Sequence, residues 1–462
     1  MSADQYAVAD VGAPAPSAKY GWYIVLVLMV VYTLSFVDRQ ILSLLVGPIK
    51  ADLGVTDTEC ALLQGFAFAI FYTLCGIPLG RVADTRSRKT MIFWGVLVWS
   101  AMTALCAGAN NFFRLFLCRI GVGVGEATLG PAAFSMLSDS FPKEKLGLAV
   151  SVYTMGIFIG SGLALIVGGY VVQAATTMDH VTLPLLGTIA PWRLTFLIVG
   201  IPGILVALWV MTLKEPMRRG LLRNAQGEAL KLSIGASLTE ISKRWGSFIL
   251  LAVGMVFQSM TTFAFNAWTP AYFQRVHGWS PSETGNVLGV MFLVAGIIGM
   301  FIGGALTDRW KAKGHSDAPL MVLMLSALGV GVFYVPAYLL QDQPWLTTAL
   351  LYPALAFTAM PIGSAYSSAQ LIFPNQVRGT MTALLMFILN LGGISLGPLI
   401  PALLTDNYFQ NEMAVGQSLA ITMAMTCIVQ LVVFFFARPF YRKDYEALHP
   451  GGADEKILAG AH

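Results

Sequence analysis

Four ionisable side chains lie well inside long apolar stretches of this chain. Asp38 and Arg39 fall in the first stretch, and Arg119 and Glu126 fall in the fourth. An acid and a base in an apolar environment can pair and exchange partners, and protonation of the acid releases the base to bind an anion. A structural ion pair that never titrates is the alternative. We expect Asp38 and Glu126 to carry protons, and Arg39 and Arg119 to bind an anionic group.

Helical geometry places these charges at comparable depths. Counted from Gly21 at about 1.5 Å per residue, Asp38 lies about 25 Å along the first helix. The fourth helix runs in the opposite direction from about Phe112, so Arg119 lies about 10 Å from its start and level with Asp38. Glu126 follows two turns deeper, on nearly the same face. We therefore expect Asp38 and Arg119 to lie close together.

The elements that carry these side chains are predicted to be membrane-spanning helices. The chain has 462 residues, of which 56% are hydrophobic and 11% charged, whereas a soluble domain has about 25% charged residues. Apolar runs of roughly 20 residues recur along the whole length, and each could cross a hydrocarbon core of about 30 Å. Spans are expected near residues 21–47, 61–80, 90–109, 112–138, 147–172, 191–213, 246–274, 284–306, 319–340, 346–372, 378–404 and 414–437.

Basic residues are concentrated on one set of connections between the spans, and the other set is mainly acidic. The basic set includes Arg86, Lys89, Lys143, Arg218 and Lys313. By the positive-inside rule, this set and both termini are expected on the cytoplasmic side of the inner (plasma) membrane. The expected parts are a disordered tail (1–20), a six-helix bundle (21–213), a linker (214–245), a second six-helix bundle (246–437) and a second tail (438–462).

The middle linker contains an apolar pattern of its own. Leu238, Ile241 and Trp245 recur at i, i+3 and i+7 beside Lys243 and Arg244. This spacing predicts a short amphipathic helix on the membrane surface, and a loosely ordered linker is the alternative.

Sequence patterns recur in the two halves of the chain. The second span is followed by Gly80-Arg-Val-Ala-Asp84, and the eighth by Gly304-Ala-Leu-Thr-Asp308-Arg309. The fourth and tenth spans are each followed by a Phe-Pro pair with a glycine five residues past the proline. Because both echoes come in the same order and at equivalent helix ends, they indicate a duplicated six-helix unit.

One of these patterns is similar to a known family motif. Residues 80–89, GRVADTRSRK, resemble the loop motif G-x-x-x-D-[RK]-x-G-[RK]-[RK] of the major facilitator superfamily, although Thr85 and Ser87 depart from it. Arg119-Ile-Gly-Val-Gly123 resembles the R-x-x-x-G motif of the fourth span in that family. Three further stretches resemble the Spinster branch, which is associated with export of sphingolipids and lysophospholipids: Asp38-Arg39, residues 119–127 and Gly160-Ser-Gly-Leu163. Bacterial carriers of small organic anions share several of these patterns.

The resemblance implies an all-α membrane protein with twelve transmembrane helices in two pseudo-symmetric six-helix bundles. It also implies that the first and fourth helices of each half line a central cavity, which would bring the four buried charges together. In the family, the loop motif is a cytoplasmic latch that stabilises the outward-facing state. The corresponding residues here are Gly80, Asp84, Arg88, Asp308 and Arg309. The alternative is that the positive charges of this motif only fix the orientation of the protein in the membrane.

The second half has no charged residue in the interior of its spans, and its polar candidates are uncharged. We expect five of them to line the cavity: Gln258, Thr262, Asn266, Tyr366 and Asn390. Methionine and aromatic residues surround them. A cavity that is charged on one wall and apolar on the other would suit an amphiphile, whereas ordinary packing or lipid contact is the alternative for such aromatic-rich helices.

Several function classes are disfavoured by the sequence. All five histidines fall in loops or tails, no GxxxxGK[ST] loop occurs, and the five cysteines form no CxxC pair. We therefore expect no enzymatic activity, no cofactor, no metal site and no nucleic-acid partner.

The leading interpretation is a monomeric, proton-coupled secondary carrier that works by alternating access. Its partners would be protons, membrane lipids and a lysophospholipid or sphingoid lipid as substrate. The first alternative is a proton symporter of a small organic anion held by Arg39 and Arg119. The second is a substrate-sensing receptor on the same scaffold.

Overall fold

The computed structural model describes residues 7–8, 17–176, 178, 181–183, 187–217, 222–223, 234–374 and 377–449. Its first half contains six helical spans, numbered here in chain order. Spans 1, 3 and 6 are single helices, Ala18–Leu44, Arg88–Cys106 and Arg193–Val210. Span 2 consists of Asp57–Ala61, a π-helical turn Leu62–Phe66, and Ala67–Thr85. Span 4 consists of Phe112–Glu126 and Leu129–Ser140, and span 5 of Lys143–Thr154 and Gly156–Thr176. A short helix, Val46–Leu53, follows span 1.

The described second half contains six more spans. Spans 7, 9 and 12 are Trp245–Val276, Ala318–Leu339 and Val415–Leu448. Span 8 consists of Pro281–Met291, the π-helical turn Phe292–Gly296 and Ile297–Ala312, and span 10 of Pro344–Ala359 and Pro361–Leu371. Span 11 consists of Arg378–Leu389, the π-helical turn Asn390–Ile394, Ser395–Leu403 and the π-helical segment Leu404–Phe409. A 3-10 turn, Glu412–Ala414, precedes span 12.

Two short antiparallel strand pairs complete the described structure. Ala7–Val8 pairs with Leu222–Arg223, and Val181–Leu183 pairs with Gly187–Ile189 between spans 5 and 6. In the predicted linker the structure has a helix, Ile234–Ser242, in which Ile241 is buried and Leu238 is exposed. Residues 218–221 and 224–233 of that linker lie outside the described residues.

The predicted all-α architecture with twelve spans is confirmed within the described residues. Ten helical stretches there are long and apolar enough to cross a membrane. Spans 4 and 10 are the other two, and each is interrupted near its middle. Span 4 breaks at Ala127 and Thr128, and span 10 breaks at Met360, just before Pro361, which cannot donate a backbone hydrogen bond.

Span 12 extends beyond the apolar run that the sequence suggested. Arg438 donates to Asp317, at the start of span 9, over 2.6 Å, and the Tyr441 hydroxyl donates to the carbonyl of Ser368 over 3.0 Å. These contacts hold a polar continuation of the helix against the bundle. Residues 450–462 of the predicted tail lie outside the described residues.

The packing differs between the two ends of the bundle. We call the end that contains Asp57 and Arg275 the outer end, and the end that contains Arg88 and Asp317 the inner end. The largest cluster of buried apolar side chains draws on both halves and includes Leu63 of span 2 and Trp268 of span 7. The other two clusters belong almost entirely to one half each. The halves therefore share one core towards the outer end and have separate cores towards the inner end.

Glycines allow spans 5 and 8, from opposite halves, to pack closely. A Cβ atom on Gly162 would lie 2.8 Å from the carbonyl oxygen of Gly289, and one on Gly169 would lie 2.6 Å from that of Pro281. Neither separation is tolerable for a real side chain, so glycine is needed at both positions for this approach.

Candidate functional site

Arg39 and Glu126 form an ion pair between spans 1 and 4. The Arg39 Nη2 atom lies 2.5 Å from Glu126 Oε2, and Nε donates to the same oxygen over 2.7 Å. Ser35, one turn earlier on span 1, also donates its hydroxyl to this oxygen over 2.7 Å. The other carboxylate oxygen, Oε1, is buried and has no hydrogen-bond partner among the described residues.

Aromatic rings surround the Arg39 guanidinium. Its central carbon lies 4.4 Å from the centre of the Phe68 ring, 5.0 Å from that of Phe36 and 5.2 Å from that of Tyr72. The negative faces of such rings attract a cation. The rings therefore help to hold the guanidinium in place beside Glu126.

Arg119 and Asp38 lie close together but make no ion pair with each other. Both are buried, with 1% and 3% of their surface exposed. Arg119 donates from Nη1 to the backbone carbonyl of Asp38 over 3.3 Å and from Nε to that of Leu63 over 3.4 Å. Its Nη2 atom and the Asp38 Oδ1 atom have no hydrogen-bond partner within the described part of the chain. The four predicted charges are thus gathered between spans 1 and 4, and Arg39, rather than Arg119, is the partner of Glu126.

A cavity between the two halves adjoins this cluster. It is lined by residues of spans 1, 2, 7 and 11, namely Phe36, Arg39, Gln40, Gln64, Phe68, Phe263, Asn266, Ala267, Ile394 and Pro398. Arg39 is the charged member of this lining, which is otherwise apolar except for three amides. The Gln40 Nε2 atom donates to the carbonyl of Asn266 over 2.9 Å and so connects the halves.

The predicted cavity residues of the second half take different positions. Asn266 lines the cavity. Gln258 is buried within the second half, and Thr262 donates to its backbone carbonyl over 3.2 Å. Asn390 is half-buried at the start of a π-helical turn. The side chain of Tyr366 is not described by the structure.

Sequence reasoning missed two amides of the first half. Gln40 and Gln64 both line the cavity, and both lie in helices that are otherwise strongly apolar. An uncharged polar residue within an apolar span was the available signal. Arg119, which was expected to bind the substrate, is not among the lining residues and is enclosed between spans 1, 2 and 4.

Charged side chains join the halves at the outer end. Asp57, the first residue of span 2, is fully buried and accepts hydrogen bonds from both terminal nitrogens of Arg275 on span 7, over 2.6 and 2.7 Å. Lys50 lies 2.6 Å from Asp57 and 2.8 Å from Glu412, which belongs to the second half. Burial lowers the pKa of Lys50, but the bonds to Asp57 and Glu412 outweigh burial and raise the pKa above its usual value, so Lys50 stays charged.

Asp406, at the end of span 11, makes a further connection. It accepts a hydrogen bond from the backbone nitrogen of Thr58 over 2.7 Å and from its hydroxyl over 2.6 Å. A carboxylate of one half therefore satisfies a free N–H group at the N-terminus of a helix in the other half. We call this set the outer clamp: Lys50, Asp57, Thr58, Arg275, Asp406 and Glu412.

A second charged cluster lies at the inner end, within the first half, around one buried arginine. Arg88 is fully buried, pairs with Asp139 and donates to Glu215 over 2.7 Å. Glu215 also accepts hydrogen bonds from the backbone nitrogens of Arg88 and Lys89 at the start of span 3. Burial raises the pKa of Glu215, but these bonds outweigh burial and hold the pKa below its usual value.

Of the other predicted latch residues, those that the structure describes in full do not join this cluster. Gly80 has open space where a side chain would project, and Asp308 and Arg309 are exposed. The backbone of Asp84 lies in span 2, but its side chain is outside the described side chains. The latch remains a prediction.

Comparisons with known proteins agree with this architecture. Residues 28–398 match the family model described as Major Facilitator Superfamily. The chain is 29% identical to an MFS-type efflux pump of Mycolicibacterium smegmatis, over 96% of this chain and 99% of that protein. It is 26% identical to a protein of Escherichia coli named "Probable L-galactonate transporter", over 82% of each.

Among solved structures, a bacterial homolog of the human lysosomal transporter Spinster, in an inward-facing and unoccupied conformation, is similar with a TM-score of 0.73. It is 24% identical, and the match covers 95% of this chain and 100% of that one.

Proposed function

The chain belongs to the major facilitator superfamily and is a multi-pass membrane transporter, and on that premise we propose that it couples proton movement to the transport of an anionic amphiphile, a lysophospholipid or a phosphorylated sphingoid lipid. The observation that supports the proposal most is the ion pair between Glu126 and the cavity-lining Arg39.

The proposed switch works through Glu126. A proton on the free Oε1 atom neutralises the carboxylate, while Oε2 continues to accept the hydrogen bond from Ser35. Arg39 then loses its counter-ion but remains between its aromatic neighbours, next to the cavity. A charge-assisted hydrogen bond to a phosphate or carboxylate becomes the most favourable replacement. Proton binding and anion binding thereby support each other.

Asp38 is the second acid in the proposal. It is buried without an ion pair among the described residues, and an unpaired charge in such a place costs several kcal/mol. We therefore assign a proton to Asp38 in this conformation. Movement of Arg119, whose Nη2 atom has no hydrogen-bond partner among the described residues, would allow Asp38 to ionise during the transport cycle.

The proposed cycle is alternating access. The outer clamp and the shared core close the outer end in the described conformation, whereas the halves have separate cores at the inner end. We propose that the inner end and both termini face the cytoplasm and that the protein lies in the inner membrane, as the distribution of basic residues predicts. Asp84, with Gly80, Arg88, Asp308 and Arg309, is proposed to stabilise the opposite, outward-facing state.

The lining of the cavity supports an anionic head and an apolar chain. Six of its ten residues are apolar, and Arg39 is the charged one. The amides Gln40, Gln64 and Asn266 favour a second candidate, a small hydrophilic anion. The similarity to the protein named as an L-galactonate transporter agrees with that candidate.

Transport by the purified protein in liposomes tests the coupling. We expect a pH gradient to drive accumulation of the substrate, with accompanying proton movement. Glu126→Gln and Asp38→Asn should each abolish the accumulation, and binding should survive in part because the neutral amides imitate the protonated acids. Asp52→Asn is the control, because Asp52 pairs with Arg193 at the outer end, within the first half.

Three results would decide between the candidates. If both acid variants concentrate substrate as well as the wild type, the coupling site lies elsewhere. Competition between a lysophospholipid and a small carboxylate separates the two substrate classes. Binding without any net flux would favour a substrate-sensing receptor over a carrier.

A further inference from the structure

Two amides of the central cavity have atoms without a partner. The Gln64 Nε2 atom and the Asn266 Oδ1 atom are both covered, and neither has a hydrogen-bond partner among the described residues. Both side chains line the cavity that contains Arg39. A buried donor or acceptor left unsatisfied costs about 1–3 kcal/mol. A donor and an acceptor are thus available beside the anion-binding cation.

The backbone around Gln64 is held by a close contact between the halves. A Cβ atom on the next residue, Gly65, would lie 2.4 Å from the carbonyl oxygen of Ile394, so only glycine permits spans 2 and 11 to meet here. Gln64 and Ile394 each belong to a π-helical turn, Leu62–Phe66 and Asn390–Ile394. Such turns are rare and frequently occur at functional sites.

Asn266 is held from the opposite half. Its backbone carbonyl accepts the hydrogen bond from Gln40, which is next to Arg39 in the sequence. The terminal torsions of asparagine and glutamine side chains have broad preferences, so the orientation of each amide group can adjust to a ligand. The two groups therefore come from different halves and line the same cavity in the described conformation.

We propose that Gln64 and Asn266 form a hydroxyl-binding subsite beside Arg39, so that the transported anion carries a hydroxyl group near its charged group. A hydroxyl both donates and accepts hydrogen bonds, and it can satisfy the free N–H of one amide and the free oxygen of the other. An unsubstituted alkyl phosphate or carboxylate leaves both unsatisfied. The inference depends on the proposed anion-binding role of Arg39.

The proposed subsite would favour anions with a hydroxyl group over anions without one, both among lipids and among small anions. A monoacyl glycerophosphate has a free hydroxyl on its glycerol unit, close to the phosphate, and a sugar acid has hydroxyls next to its carboxylate. A fatty acid and a simple alkyl phosphate have none. The same chemistry could therefore serve a lipid or a small anion, and the test must distinguish these sources.

The experiment compares matched ligands on the purified full-length protein. One pair is a monoacyl glycerophosphate and its deoxy analogue, which lacks only the hydroxyl; the other pair is galactonate and hexanoate. We expect the wild type to prefer the hydroxylated member of at least one pair by about tenfold, which corresponds to about 1.4 kcal/mol. Gln64→Met and Asn266→Leu should each reduce this preference to less than about threefold.

The control is Asn286→Leu. Asn286 is an amide on span 8 that donates to the Tyr170 hydroxyl over 2.8 Å and is not among the residues of the cavity lining. The Asn286→Leu variant should keep the full preference for the hydroxylated ligand. Because the ratio of affinities is measured within each protein, it does not depend on the fraction of molecules that fold. If Gln64→Met binds neither ligand, Gln64→Asn replaces it and must lose part of the preference.

The outcomes separate this inference from the proposed function. A preference in the lipid pair supports a lipid substrate, and one confined to the small pair supports the small anion. Equal binding of both members of both pairs by the wild type would overturn the subsite and leave the role of Arg39 standing. A preference that persists in both Gln64→Met and Asn266→Leu would also overturn the subsite and leave the role of Arg39 standing. If no anion binds the wild type, the subsite and the proposed function fail together.

Discussion

The outer clamp permits a quantitative prediction about the conformational equilibrium. Asp57→Asn removes the negative charge that Arg275 contacts across the interface between the halves. In the proposed alternating-access cycle these contacts exist only while the outer end is closed, because they join the start of span 2 in one half to the end of span 7 in the other. The substitution should therefore favour the outer-open state.

The size of the shift follows from the contacts that are lost. Arg275 makes two hydrogen bonds to Asp57, over 2.6 and 2.7 Å, and each such charge-assisted bond contributes about 1.5–3 kcal/mol. In the open state water would hydrate both partners and recover much of this energy. The bond from Thr58 to Asp406 also remains. We take about 2 kcal/mol as the net loss, which corresponds to a shift of roughly 30-fold towards the open state.

Distances between spin labels at the outer end measure this shift. Asn110 in the first half and Tyr408 in the second are exposed at that end and can be replaced by labelled cysteines. Asp57→Asn should increase the population with a long distance. Asp52→Asn, which breaks an ion pair within the first half at the same end, should leave the distribution as in the wild type. Identical distributions for both variants would refute the assignment of Asp57 and Arg275 as a clamp.

Two further predictions concern single contacts. Gly65→Ala should also favour the outer-open state, because its Cβ atom would lie 2.4 Å from the Ile394 carbonyl oxygen. The control is Gly47→Ala, which should leave the equilibrium unchanged because no atom lies within 4 Å of its Cβ position. Equal label distances for the two variants would contradict this prediction. The pKa of Glu215 is lowered from its usual value in the folded protein. The stability that its ionised carboxylate provides is therefore fully present above the pKa of the unfolded state, about 4.3, and is lost as the pH falls through the lower pKa of the folded state. The Tm of Glu215→Gln in detergent should therefore lie below that of the wild type at neutral pH and approach it below about pH 4; a difference that grows on acidification would contradict the prediction.

The twelve spans could be predicted because apolar length is a strong signal in a membrane protein. Fixed helical rise also predicted that Asp38 and Arg119 would lie at similar depth. The pairing could not be predicted in the same way. By charge alone, either Arg39 or Arg119 could pair with Glu126, and only the packing of span 1 against span 4 decides that Arg39 does.

The outer clamp could not be predicted from local sequence. Asp57 and Arg275 are separated by 218 residues, and each lies at a helix end, where charged residues are common and normally face water. Nothing in their spacing distinguishes them from solvated loop charges. The amides Gln40 and Gln64 were within reach of sequence reasoning, because a polar residue in an apolar span calls for an explanation.

The position of Gln40 suggests how the switch in the first half could reach the second. The second half has no charged residue in the described cavity lining, so it can respond to protonation only through contacts between the halves. Gln40 provides one of these contacts, and it is adjacent to Arg39, which we propose exchanges Glu126 for the substrate. A substrate changes the conformational equilibrium only by binding one state more tightly than the other. An anion on Arg39 whose hydroxyl bridges Gln64 and Asn266 would do so, because those two residues belong to different halves and line one cavity in the described conformation. In this scheme proton binding makes Arg39 available, and substrate binding then adds a second link between the halves.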